Sequence, residues 1–192
     1  MVREFLVLGN DPRFNSFLDE FQSETDRAAA VLGAAYLDSQ LKDLLLRSWT
    51  TAIERYAKLV EHPGPVSTFS SRITLAAALG LIAEDERIAL DAIRNIRNDF
   101  AHKLAGDEFE PLRAFENCRS LELIRERFRE EPGLATAYLG ASPRKHFDLL
   151  VALLGYYLHR RGAHAARFAG PKPALWPDFD LGGEVRTPEV AG

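Results

Sequence analysis

The sequence predicts an all-α protein, a helical bundle followed by a flexible tail. Apolar residues recur at three- and four-residue spacing in several long stretches, and no stretch alternates apolar and polar residues as a strand does. Proline and glycine breaks separate these stretches, several of them beside a helix-capping residue. We therefore predict one helical domain over residues 1–162 and a Pro/Gly-rich tail over residues 163–192.

Composition narrows the class of protein. Among 192 residues, 46% are hydrophobic and 27% are charged, as in ordinary soluble domains. A formal net charge of -4 argues against a protein that binds nucleic acid with its whole surface. Only one cysteine, Cys118, is present, which excludes an intrachain disulfide. No apolar run approaches the ~20 residues that cross a bilayer. We expect a cytoplasmic protein with no membrane contact, no metal site and no cofactor.

The first half of the chain predicts two helices. Asp11-Pro12 marks the start of a short helix, and a long one follows from about Glu24 to Val60. Gly33 is its weak point, at roughly 1 kcal/mol relative to alanine. A helix apolar on two sides lies centrally in a bundle or at a subunit interface, and the sequence leaves both open. The two stripes are Leu37, Leu41 and Leu44, and Leu46, Trp49, Ile53 and Tyr56.

Asp38 interrupts the apolar surface of this long helix. It lies four residues before Lys42, so an exposed ion pair between the two is one interpretation. A functional carboxylate is the other. Asp38 is therefore kept among the candidate binding residues.

The second half begins after the break at residues 62–65, HPGP. A short helix is predicted from Arg72 to Leu79, closed by Gly80. A longer helix opens at the acidic residues 84–86 and runs to about Lys103. Another is predicted to begin at Pro111, and a final helix runs from Ser142-Pro143 to about Arg161.

Residues 88–103, IALDAIRNIRNDFAHK, contain more polar and charged side chains than a helix of the core needs. Their apolar members recur at helical spacing and predict one buried face: Ala89, Ile93, Ile96 and Phe100. Polar and charged residues crowd the last turns of the same helix. These candidate site residues are Arg94, Asn95, Arg97, Asn98, Asp99 and His102.

Three long segments resemble the mannitol operon repressor (MltR) family. They are TDRAAAVLGAAYLDSQLKDLL from Thr25, GPVSTFSSRITLAAALGLI from Gly64 and IRNIRNDFAH from Ile93, and SPRKHFDLLVALL matches more loosely. The resemblance spans roughly residues 11–161. It implies an all-helical regulator that lowers expression of a carbohydrate operon. No basic recognition helix follows a tight turn, so sequence-specific DNA binding by this chain is not expected.

A second resemblance lies inside the first. RNDFAH, from Arg97 to His102, resembles the R-x4-H motif of the helical HEPN superfamily, in which many members are metal-independent ribonucleases and others are inactive binding modules. This likeness implies an HEPN-like bundle. For RNA cleavage, His102 would transfer protons, Arg97 would hold the phosphate, and Asn98 would orient His102 or the scissile group.

Helical geometry constrains that chemistry. At about 100° per residue, Arg97 and His102 lie roughly 140° apart, whereas Asn98 and His102 are i,i+4 neighbours. Convergence of Arg97 and His102 requires a distortion near Phe100 or a second protomer. A structural role is the simpler alternative, in which Arg97 pairs with a carboxylate of the long helix and His102 interacts with the end of its own helix. The candidate carboxylates are Asp26, Asp38 and Asp43.

The C-terminal part of the domain is locally basic. A solvated face and a nucleic-acid patch are the two interpretations. The residues are Arg144, Lys145, His146, His159, Arg160, Arg161 and Arg167.

The leading hypothesis is a non-enzymatic MltR-like regulator, a homodimer that acts through contacts with another regulatory protein. The candidate binding residues are Arg94, Asn95, Arg97, Asp99 and Asp38. The alternative is an HEPN-like endoribonuclease that acts on RNA through Arg97, Asn98 and His102.

Overall fold

The computed structural model describes residues 12–48, 53–102 and 142–168. These residues form six α-helices, and no strand occurs among them. The all-α prediction is confirmed. The helix predicted from Pro111 and the tail from residue 169 onward lie outside the described residues.

Most helix bounds lie close to the capping residues, prolines and glycines that predicted them. The helices are α1 (Pro12–Ser23), α2 (Asp26–Ser48), α3 (Ile53–Val60), α4 (Phe69–Ala78), α5 (Glu84–His102) and α6 (Pro143–Phe168). The long helix predicted up to Val60 corresponds to α2 and α3, between which residues 49–52 are not described. Helix α6 continues to Phe168, past its predicted end near Arg161 and into the segment assigned to the tail. Among the described helices, none is long and apolar enough to cross a membrane.

Helices α2 and α6 make the most extensive contact between described helices. Gly33 lies at this contact. A Cβ atom there would be 3.0 Å from Val151 Cγ2 and 3.1 Å from Phe21 Cε2. Gly33 is unfavourable for helix propensity, as the sequence predicts, but packing adds a second effect, since the missing side chain lets the two helices approach. The first predicted stripe of α2, Leu37, Leu41 and Leu44, is buried in the same core.

Helix α5 packs against α2, α4 and α6 through its apolar face. The four residues predicted for this face are buried, each at most 2% exposed, and Leu90 joins them. Of the second stripe of α2, Leu46 is half-buried, whereas Trp49 and the side chains of Ile53 and Tyr56 lie outside the described part. Burial of one face leaves the opposite face of α5 to solvent.

Candidate functional site on helix α5

Side-chain hydrogen bonds cap both ends of helix α5. At its start, the Glu86 carboxylate accepts a hydrogen bond from the Ala83 backbone N–H at 2.7 Å, which satisfies one of the unpaired donors of the first turn. At its end, Arg27 of α2 donates to the Phe100 carbonyl. A cation at this position also complements the negative end of the helix dipole. The helix that carries the polar face is thus held in place at both ends.

The first half of that face is a ladder of ion pairs. Arg87 lies between Glu84 at 2.6 Å and Asp91 at 2.7 Å, and the Nε of Arg94 donates to Asp91 at 3.2 Å. The hydrogen bond from Arg87 lowers the pKa of Glu84. Arg94, a predicted binding residue, is therefore already paired within its own helix.

The second half of the face carries four polar side chains without a hydrogen bond or ion pair to the described residues, and Asp99 is not one of the four. Asn95 and His102 are exposed, whereas Arg97, Asn98 and Asp99 are half-buried. Within residues 12–48, 53–102 and 142–168, no side-chain hydrogen bond or ion pair involves Asn95, Arg97, Asn98 or His102. Their polar groups can serve a contact with another molecule.

Arg97 and His102 diverge within one chain. Helix α5 is α-helical through His102, and Phe100 between them is 2% exposed, so the helix carries no distortion that would turn the two side chains together. Arg97 lies beside the buried face, whereas His102 points to solvent one turn after Asn98. Bringing the guanidinium and the imidazole to one phosphate requires a second protomer.

Asp38 belongs to a different cluster. Its carboxylate lies 2.6 Å from Arg72 Nη1, so the exposed Asp38–Lys42 pair is not the arrangement adopted. Arg72 also donates to the carbonyls of Val60 at 2.8 Å, Ser67 at 3.0 Å and Val66 at 3.1 Å. Arg72 is buried, and this cluster fixes the loop between α3 and α4 against α2. Asp38 thus forms a structural contact between α2 and α4.

The carboxylates proposed as partners for Arg97 do not bind it. Asp38 is paired with Arg72 and Asp26 with Arg144. Asp43 is exposed and forms no ion pair with the described residues. The structural role proposed for Arg97 is therefore not supported by any of the three pairs.

The main cluster that sequence reasoning missed surrounds Arg144. Its guanidinium lies 2.7 Å from Asp148 and 2.8 Å from Asp26, and donates to the carbonyls of Phe21 and Glu24, both at 3.2 Å. Burial raises the pKa of Asp148 to about 6, although Arg144 opposes the shift. The four-residue spacing of Arg144 and Asp148 was a usable signal, whereas nothing local points to Asp26.

The basic C-terminal part does not form one solvated face. Arg144 and Arg161 are held in ion pairs, and His146 is 1% exposed. Arg160 lies 5.6 Å from the ring centre of Tyr156 and donates to its hydroxyl at 2.8 Å. The charges are spread around α6, which disfavours a nucleic-acid patch there. Arg167 lies beyond the described side chains.

No group of three or more histidine, cysteine, aspartate or glutamate side chains in the described ranges is arranged to hold an ion. The α5 face offers amides, an imidazole and arginines, which are suited to hydrogen bonding and anion contacts.

No protein-family model, curated protein or solved structure matches this chain. The likeness to mannitol operon repressors and to HEPN domains stays a prediction from the quoted segments.

Proposed function

We propose that the chain is a non-enzymatic regulator of the mannitol operon repressor type, which lowers expression of a carbohydrate operon by binding another regulatory protein. The observation that supports this is a polar face on α5 in which Asp91 is paired within the helix, whereas Asn95, Asn98 and His102 form no side-chain hydrogen bond or ion pair with the described residues. Asp91, Asn95, Asn98 and His102 lie within about 60° of one another around the helix axis. They form one polar strip opposite the buried stripe.

The charge of this chain favours a protein over a nucleic acid as the binding partner of this strip. Acidic and basic residues of the Glu84–Arg94 ladder compensate each other, and the whole chain has a net charge of -4. Nucleic-acid affinity depends on uncompensated cations that displace counterions, and the strip has few. Polar side chains of mixed sign on a rigid helix suit the rim of a regulatory protein interface. A homodimer, as expected from the sequence, remains part of this proposal.

The experiment is a repression assay with a surface triple variant. Transcript levels in cells with and without the gene identify the repressed operon. Asn95→Ala/Asn98→Ala/His102→Ala should relieve repression as fully as deletion, with an unchanged circular dichroism spectrum, because these side chains are exposed or half-buried and hold no described contact.

A matched control changes exposed polar residues elsewhere. Ser39→Ala/Asp43→Ala on the outer side of α2 should repress normally. Repression that survives in the triple variant contradicts the proposal. Tight, sequence-specific DNA binding by the isolated protein contradicts it as well.

One observation favours a second candidate, an HEPN-like metal-independent endoribonuclease. Asn98 and His102 are i,i+4 neighbours, and neither makes a side-chain hydrogen bond with described residues. Imidazole can move protons in both directions near neutral pH. Arg97 would come from the other protomer of the proposed homodimer. Purified protein incubated with RNA in chelator should then cleave it, and His102→Ala should not. Absence of cleavage by the wild-type protein eliminates this candidate.

A further inference from the structure

A groove of about 360 Å³ lies between the turn that joins α4 to α5 and the C-terminal half of α6. Its volume is within the range of small-molecule sites. Apolar surface comes from Leu44, Leu81, Ile82 and Ala165, and polar groups come from Arg161 and His164. A few convergent polar groups over an apolar wall are the usual composition of a ligand site.

Arg161 is held in place at one side of this groove. Its Nη1 donates to the Glu86 carboxylate and to the Leu81 carbonyl, the latter at 3.0 Å. The Glu86 side chain is 3% exposed, whereas that of Arg161 is 39% exposed. No hydrogen bond from Nε or Nη2 reaches another described residue. The buried contacts therefore fix the guanidinium while leaving further donors for a ligand.

The charges around the groove favour an anion. Arg161 and His164 are three residues apart on α6 and share one side of the helix. The three carboxylates in the first turn of α5 are engaged: Glu86 binds Arg161 and the Ala83 N–H, Glu84 binds Arg87, and Asp85 accepts a hydrogen bond from the Glu86 N–H. The acceptors closest to Arg161 are thus already used, whereas part of its donor set is not.

We infer that this groove binds a small organic acid with an apolar chain. The carboxylate would lie against the outer edge of Arg161 and beside His164, and the chain against Leu81, Ile82 and Ala165. The site is separate from the α5 face and would give the protein an effector. Its binding is measured on the isolated chain, so its failure and the failure of the proposed regulatory contact are distinguishable.

The test is a titration of the isotope-labelled full chain with hexanoate, followed by amide chemical shifts. Saturable shifts are expected at Leu81, Ala83 and Ala165. Hexan-1-ol, which lacks the charge, and inorganic phosphate, which lacks the chain, should each bind at least roughly tenfold more weakly, the equivalent of losing one charge-assisted hydrogen bond or an equal share of apolar contact.

Arginine variants locate the anion. Arg161→Gln should weaken hexanoate binding roughly tenfold or more. Arg160→Gln is the matched control, because the neighbouring Arg160 stacks on Tyr156 and does not line the groove. Equal affinity in the wild-type and Arg161→Gln proteins overturns the inference.

A second pair of variants keeps the test valid if loss of the Glu86 contact disturbs the fold. Ala83 is exposed and lines the groove, so Ala83→Leu should fill part of it and reduce binding. Ala78→Leu, at an exposed position outside the groove, should bind hexanoate as the wild-type protein does. Unchanged binding by Ala83→Leu, or shifts that do not saturate, contradicts the inference.

Discussion

Arginines lie beside carboxylates both at the α2–α6 contact and on the solvent face of α5, yet the two regions differ in what these charges do. Arg144 has a side chain only 14% exposed, and it joins α6 to two carbonyls and to the first turn of α2. On α5, Arg87 and Arg94 pair only with carboxylates of their own helix. The same residue types thus stabilise tertiary structure in one region and form ion pairs within a single helix in the other.

Burial is the property that separates the two regions. An exposed ion pair is screened by water and contributes little to stability, whereas a buried charge that loses its partner is costly. Accessible polar groups without a partner among the described residues, such as Asn95 and His102 on α5, can bind another molecule. Buried and paired groups, such as those around Arg144, hold the helices together.

The largest expected effect is that of removing the Arg144 guanidinium. Arg144→Met leaves the mostly buried Asp148 without its cation and frees two carbonyls, so the free energy of unfolding should fall by about 3 kcal/mol. Urea unfolding monitored by circular dichroism measures this. Arg94→Met is the matched control on α5 and should cost no more than about 0.5 kcal/mol. Similar losses of unfolding free energy in the two variants would contradict the expected difference between the buried and the exposed ion pairs.

The next effect is a dependence of stability on pH. The pKa of Asp148 is raised from 3.8 to about 6 by burial, so between these values the folded state binds more protons than the unfolded state. The contribution of this group is fully present below pH 3.8 and is lost as the pH rises through about 6. The change is on the order of 3 kcal/mol. Asp148→Asn should flatten this part of the stability profile, and an unaltered slope would contradict the assignment.

Replacing two helical glycines by alanine should have smaller effects on the free energy of unfolding, and these effects should be opposite in sign. Gly33→Ala should lower the free energy of unfolding by about 1–3 kcal/mol, because the new Cβ meets Val151 and Phe21. Gly162→Ala should raise it by up to about 1 kcal/mol, since helix propensity improves. Its new Cβ would meet only the Arg47 side chain, at an ordinary 3.5 Å from Cδ and 4.0 Å from Nε. Thermal unfolding of both variants measures the difference, and a stabilised Gly33→Ala protein would contradict the close helix approach.

The smallest expected effect is on the α5 face itself. Asn98→Ala and His102→Ala should each change the free energy of unfolding by less than about 0.5 kcal/mol, because neither side chain makes a described polar contact. Urea unfolding checks this. A loss comparable to that of Arg144→Met would assign these residues to the structure and weaken the case for a binding face.

Local patterns in the sequence were sufficient to predict the helices and their buried faces. Pro12 and Pro143 begin α1 and α6, and the acidic residues 84–86 begin α5, as predicted. Helical spacing also placed the polar residues of α5 opposite its buried stripe. These features depend on residues within a few positions of one another, which is the range that periodicity and capping describe.

Contacts between distant residues were not predictable in this way. Asp26 and Arg144 are 118 positions apart, and periodicity shows which side of a helix is polar without showing what lies against it. For the same reason Lys42 of its own helix was one interpretation of the partner of Asp38, whereas Arg72 of α4 binds it. Helix propensity likewise cannot show that the backbone at Gly33 packs closely against Val151 of α6.

Residues at the start of α2 bind both the start of α6 and the end of α5. Asp26 and the Glu24 carbonyl bind Arg144 at the start of α6, and the adjacent Arg27 binds the Phe100 carbonyl at the end of α5. Fraying at the start of α2 would release both helices together. In native-state hydrogen exchange, the amides near Phe100 and those near Arg144 should therefore open as one cooperative unit, which Arg144→Met would uncouple.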